Sequence, residues 1–164
     1  MRRLALVLMT GAIAVAAFAA PAAAKQPDRS GNTIVDIASS NPNFTILTSL
    51  VVDLGLADAL SQKGQLTVFA PTDAAFAKIL PAVAGCSADT LRDIVLYHVA
   101  KGARYSSDVI ESKQIRMLNG DFAPVSIPYV GGAELNLSML DIKASNGVIH
   151  VLNDVMVPAD FAGC

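Results

Sequence analysis

From Thr33 to about Gly102, apolar residues recur at helical spacing, and beyond Gly102 the period changes to alternation. Ile34, Ile37 and Ala38 mark a first helix, with Asn32 or Thr33 as cap and Asp36 placed to complete a capping-box-like pair with Thr33. Asn41-Pro42 restarts the chain, with Asn41 as cap and Pro42 at the first helical position. Leu47, Leu50, Val51 and Leu54 carry the next stripe, which Gly55 ends. Leu56 to Gln62 predicts one more short helix, stopped by Gly64. Further on, Ser87 opens a helix whose stripe is Leu91, Ile94 and Val95, with His98 on the same face and Gly102 as its end.

Leu66 to Phe76, LTVFAPTDAAF, breaks the helical half and organises it. Leu66, Val68 and Ala70 fall on one face of an extended run, Thr67 and Phe69 on the other. Pro71, lacking an N–H, stops the strand. Thr72 or Asp73 then caps a helix with the apolar face Phe76, Ile79 and Leu80, closed by Pro81. A buried strand feeding directly into a capped helix predicts the rigid centre of one domain.

After Gly102, Ala103 to Ser106 predicts a short strand. Ile115 to Leu118 and Phe122 to Ile127 flank Asn119-Gly120, and Asp141 to Ala144 and Val148 to Leu152 flank Asn146-Gly147, two hairpin signals. Leu135 to Leu140 is another strand candidate, and Val155 to Val157 extends the last strand as far as Pro158. Helices first, strands last and one strand embedded among the helices predict an α+β domain with a largely antiparallel sheet.

The N-terminal segment changes the compartment. Arg2 and Arg3 precede an apolar run, Leu4 to Phe18, and Ala22 and Ala24 form an A-x-A arrangement. That is the pattern of a secretory signal peptide, residues 1–24, cut after Ala24; the run is too short to span a bilayer comfortably. Residues 25–32 read as a flexible leader, 33–158 as the domain and 159–164 as a tail. Export to the periplasm or the medium follows, with no stable membrane insertion after cleavage. Losing Arg2 and Arg3 leaves 10 basic residues against 14 acidic, net −4. The basic residues are scattered along the sequence, which argues against nucleic acid and anionic lipid. Two cysteines remain, Cys86 and Cys164. An even count in an exported chain invites a disulfide tying the tail to the middle of the domain. The alternative is two free thiols, one of them reactive.

Candidate chemistry is sparse. A buried His98 needs hydrogen-bond partners, and Thr72 and Asp73 at the end of the central strand are the candidates. The competing role, a catalytic or metal-binding His98, lacks a second His or Cys at ligand spacing on its helix. His150 alternates with Val148 and Leu152 along a late strand; it could join His98 at a metal, but a structural or half-exposed position suits it better. Neither a nucleophile motif nor a phosphate loop is present, and no metal or cofactor is expected. Gly131-Gly132 belongs to a loop, Pro128 to Glu134, that offers Tyr129 as a contact residue.

Three stretches together resemble fasciclin domains. LTVFAPTDAAF is similar to their first signature; Leu96, Tyr97, His98 and Val99 to their central Tyr-His motif; and NGVIHVLNDVMVP, Asn146 to Pro158, to their second signature. Order and spacing agree from about Thr33 to Pro158. The resemblance implies a wedge of about seven mostly antiparallel strands with helices around it, in a secreted, non-enzymatic adhesion or protein-interaction module. It implies a structural His98 bonded to Thr72 and Asp73. It also brings in Tyr97 and His98 as contact residues, since that neighbourhood is linked to integrin binding in animal members. The Ala-rich signal peptide looks bacterial. The expected partner is a protein or a cell-surface or matrix component, and the expected state is a monomer. A soluble carrier of an apolar small molecule, a pigment or lipid, is the alternative. Cys86 and Cys164 stand outside the three motifs.

Overall fold

The computed structural model describes residues 31–62 and 64–164. The predicted signal peptide and most of the leader lie outside the described residues.

Among the described residues the chain forms six α-helices and eight strands. Helix α1 (Ile34–Ser40) opens under the expected capping box: the Thr33 hydroxyl accepts from Asp36 N–H, and the Asp36 carboxylate accepts from Thr33 N–H. Asn41 caps a 3-10 turn, Pro42–Phe44, that runs into α2 (Thr45–Asp53). Helix α3 (Ala57–Ser61) follows a turn at Gly55. Strand β1 (Leu66–Pro71) then leads into α4 (Asp73–Val83), whose N-cap is Thr72. Pro81 lies inside α4, two residues from its end, where its missing N–H costs a single helical bond. Helix α5 (Ala88–Leu96) is capped by the Ser87 hydroxyl.

Helix α5 ends at Leu96, so His98 lies just past it, and β2 (Val99–Lys101) occupies what the apolar spacing extended as helix. Ala103 to Ser106 is not a strand. Helix α6 (Ser106–Glu111) starts there, because Asp108 accepts from Tyr105 N–H and the distant Asp141 accepts from Ser106 N–H. Strands β3 (Gln114–Arg116) and β4 (Phe122–Ser126) form the hairpin expected around Asn119-Gly120. Strands β5 (Tyr129–Val130) and β6 (Ala133–Glu134) form a tight pair across Gly131-Gly132. Strands β7 (Ile142–Ala144) and β8 (Gly147–Leu152) form the second expected hairpin. Leu135 to Leu140 is mostly turn around Asn136, held to β8 by a bridge from Leu135 to Leu152. Val155 to Val157 pairs with no strand; the Met156 N–H is used by a side chain instead.

Two four-stranded sheets result, ordered β2-β1-β8-β7 and β3-β4-β5-β6. All pairings are antiparallel except β1 with β8, which is parallel over six residues from Leu66 opposite Gly147 to Pro71 opposite Leu152. These two strands are buried on both faces, as a central parallel pair must be. Val68, Ala70, Ile149 and Val151 pack under the helices, with Phe44, Leu47 and Phe76. Phe69 and Leu152 point the other way, into a second core with Tyr97, Ile115, Val130 and Met156.

Candidate functional site

The centre that the sequence assigned to Thr72, Asp73 and His98 is divided in the fold. His98 is 1% exposed, and its two ring nitrogens serve other groups. Nε2 accepts from the Met156 N–H at 2.9 Å, which puts the proton on Nδ1, 2.7 Å from the Ile94 carbonyl. His98 therefore ties the end of α5 to the segment after β8. Burial, only partly opposed by the Ile94 carbonyl, lowers its pKa to about 4, so the ring is neutral. Thr72 caps α4 through Ala75 N–H. Asp73 reaches sideways and takes the N-terminus of α2: Thr45 N–H at 3.2 Å, the Thr45 hydroxyl at 2.5 Å and Ile46 N–H at 2.9 Å. Burial opposes ionisation of Asp73, but these donors outweigh it and its pKa is lowered. The free N–H groups at the start of α2 were a stronger claim on Asp73 than a neutral imidazole.

Tyr97 is 3% exposed, its hydroxyl 3.5 Å from the Phe122 carbonyl. Tyr97 and His98 thus present no side-chain surface to a partner, which corrects their assignment as contact residues. Their apolar neighbours, not solvent, claim both rings. Tyr129 is 48% exposed at the β4–β5 turn. Cys86 and Cys164 are joined as a disulfide, their Cα atoms 5.1 Å apart.

His150 is the buried group the sequence undervalued. Its Nε2–H donates to the Arg104 carbonyl at 2.8 Å, and Nδ1 accepts from Asp141 N–H at 3.3 Å. Burial lowers its pKa, against the Arg104 carbonyl and Asp141 carboxylate. Burial favours the neutral form of both imidazoles, and both ring nitrogens of each are hydrogen-bonded. Asn146, read as a turn residue, also accepts from Ile34 N–H at 2.9 Å and donates to the Leu60 carbonyl at 2.7 Å, joining α1, α3 and the last hairpin. Among the described residues, no group of three or more His, Cys, Asp or Glu side chains stands together as a metal site.

One exposed cluster is largely apolar. Ile110 on α6, Ile127 after β4 and Leu137 are 58%, 43% and 62% exposed, and they line one shallow cleft with Val109, Leu135 and Leu140, to which Ser106 and the buried His150 also contribute. Its volume is about 20 Å³, water-sized. A second apolar cavity, about 30 Å³ between α1, α2 and β1, includes Thr48, whose hydroxyl has no hydrogen-bond partner; that volume suits one water. Among the described residues no helix is long and apolar enough to cross a membrane.

Comparison with known proteins gives concordant results. Residues 42–158 match the family described as Fasciclin domain. The chain is 35% identical over 130 residues to uncharacterized protein sll1735 of Synechocystis, covering 76% of this chain and 96% of that protein. It is 32% identical over 133 residues to transforming growth factor-beta-induced protein ig-h3 of Sus scrofa, covering 77% of this chain and 19% of that protein. Among solved structures it is similar to a FAS1 domain pair from the insect cell adhesion molecule Fasciclin I, with a TM-score of 0.56 at 16% identity, covering 71% of this chain and 46% of that one.

Proposed function

Because the chain belongs to the fasciclin domain family, we propose that it is an exported, non-enzymatic adhesion module that binds a protein or matrix component through its exposed apolar face. One observation carries this reading. Three large aliphatic side chains, Ile110, Ile127 and Leu137, converge on one cleft while each remains more than two-fifths exposed. Exposed apolar side chains gathered in this way mark interaction surfaces. Tyr129, two residues beyond Ile127, adds an aromatic with a polar tip of the kind enriched at interfaces. The solved relative that comes from a cell adhesion molecule supports the same class of role.

The test is attachment of the producing cells to a surface coated with the purified protein. Wild type is expected to retain cells, and the triple variant Ile110→Ser, Ile127→Ser, Leu137→Ser to lose most of that retention while unfolding at an unchanged denaturant midpoint. Equal retention by the variant would remove the apolar face from the role.

A further inference from the structure

The cations that lie scattered along the sequence are partly gathered by the fold. Lys101, Arg104 and Arg116 line a single cleft of about 270 Å³ with Met117, Leu118 and Gly120. Ala100 bridges Met117 in antiparallel register where the two sheets meet, and Leu118 N–H donates to the Val99 carbonyl at 2.7 Å. One step along each strand, Lys101 therefore stands opposite Arg116. Like charges placed directly opposite across a strand pair repel. Among the described residues neither forms an ion pair that would relieve this, and neither does Arg104.

Arg104 is held in place from the core. The Thr67 hydroxyl, fully buried in β1, accepts from Arg104 N–H at 2.8 Å and donates to the Gly102 carbonyl at 2.7 Å. The Arg104 carbonyl accepts from the buried His150 ring at 2.8 Å. Two buried polar side chains thus fix both backbone groups of one half-buried arginine. Its Nε is buried and has no hydrogen-bond partner. A guanidinium on a rigid backbone, lining one cleft with two further cations, is the arrangement that recognises an oxyanion.

We propose that this cleft binds a single phosphate or sulfate group, with Arg104 as the fixed anchor and Lys101 and Arg116 as flanking cations. A single group fits better than a polyanionic track: the predicted mature chain is net negative, and the cleft gathers three of its ten basic residues. The cleft shares no lining residue with the Ile110–Ile127–Leu137 face, so its failure would leave the adhesion reading untouched, and the reverse holds as well.

The experiment is an amide NMR titration of the purified protein with inorganic phosphate, and separately with sulfate, at ionic strength held constant with chloride. Saturable shifts are expected for the amides of residues 100–104 and 116–120. Arg104→Gln should weaken the binding at least tenfold, and Lys101→Gln or Arg116→Gln several-fold. Lys78→Gln should leave it unchanged, because Lys78 is paired with Asp154. The Arg104 backbone, not its side chain, holds the loop, so Arg104→Gln should keep the wild-type spectrum elsewhere. Saturation by phosphate alone assigns a phosphate-bearing ligand; saturation by both assigns selection by charge. Non-saturating shifts spread over all cationic residues, or binding indifferent to Arg104→Gln and Lys101→Gln, would overturn the site.

Discussion

His98 shows how much one enclosed side chain can settle. It is held neutral between Ile94 and Met156, and its pKa of about 4 lies below the ordinary 6.5. The unfolded chain therefore takes up a proton between those values more readily than the folded one. The stabilising contribution is complete above about pH 6.5, falls as the pH drops toward 4 and changes no further below that. The shift corresponds to a ceiling of about 3 kcal/mol. Denaturant unfolding at pH 7.5 and pH 5 checks this. His98→Gln should be less stable at pH 7.5 by about 1–3 kcal/mol, the cost of disturbing a buried hydrogen bond. It should also lose about 2 kcal/mol less than wild type on going to pH 5. His150 is shifted in the same direction, so a shallower slope should survive. Identical slopes in variant and wild type would show that His98 is not the titrating group. The sequence made His98 legible as buried and structural. Its partners were not legible, because Met156 lies 58 residues away and donates through its backbone, which no side-chain pattern records.

At the level of elements, the parallel pairing of β1 with β8 sets the demands on everything around it. Leu66 N–H donates to the Asn146 carbonyl at 3.0 Å, and the chain then passes Gly147 with no room beside it. A Cβ added at Gly147 would stand 1.9 Å from the Leu66 carbonyl oxygen and 2.9 Å from the Ile34 side chain. The turn signal in Asn146-Gly147 was readable, but this second requirement comes from β1, some eighty residues earlier in the chain. Gly147→Ala must push two buried strands apart, so a loss of more than about 3 kcal/mol in unfolding free energy is expected, beyond the ordinary cost of overpacking. A change of under about 1 kcal/mol would mean that the pair shifts freely. Elements with local signals, such as the caps at Thr33, Asn41 and Ser87 and both Asn-Gly hairpins, were legible because their causes lie within a few residues. Helix α6 was not, since Asp141 caps it from 35 residues away. The oxyanion cleft was invisible for the same reason: Lys101 and Arg116 become neighbours only through the bridge between Ala100 and Met117.

For the whole molecule, the remaining constraint is the disulfide that closes the chain across 78 residues. Cys164 also donates its N–H to the Ala82 carbonyl at 3.0 Å, and the half-buried Phe161 packs against the helical core. The tail therefore has contacts of its own, and two effects of breaking the bridge can be separated. If the bridge acts mainly by restricting the unfolded chain, its loss lowers the stability of every part that opens only by global unfolding. If it acts mainly by pinning the tail, its loss frees residues 158–164 and leaves the strands alone. The long loop favours the first: chain entropy puts such a closure at roughly 2–4 kcal/mol, more than the few contacts of a short tail supply. In the Cys86→Ser, Cys164→Ser variant, hydrogen exchange should accelerate at the slowest amides of β1 and β8 by a factor matching the drop in unfolding free energy. Protection lost in the tail alone, with β1 and β8 unchanged, would place the bridge's action in the folded state. The Cys86 and Cys164 substitutions leave both the apolar face and the cation cleft intact, so attachment and anion binding should persist wherever the variant is folded.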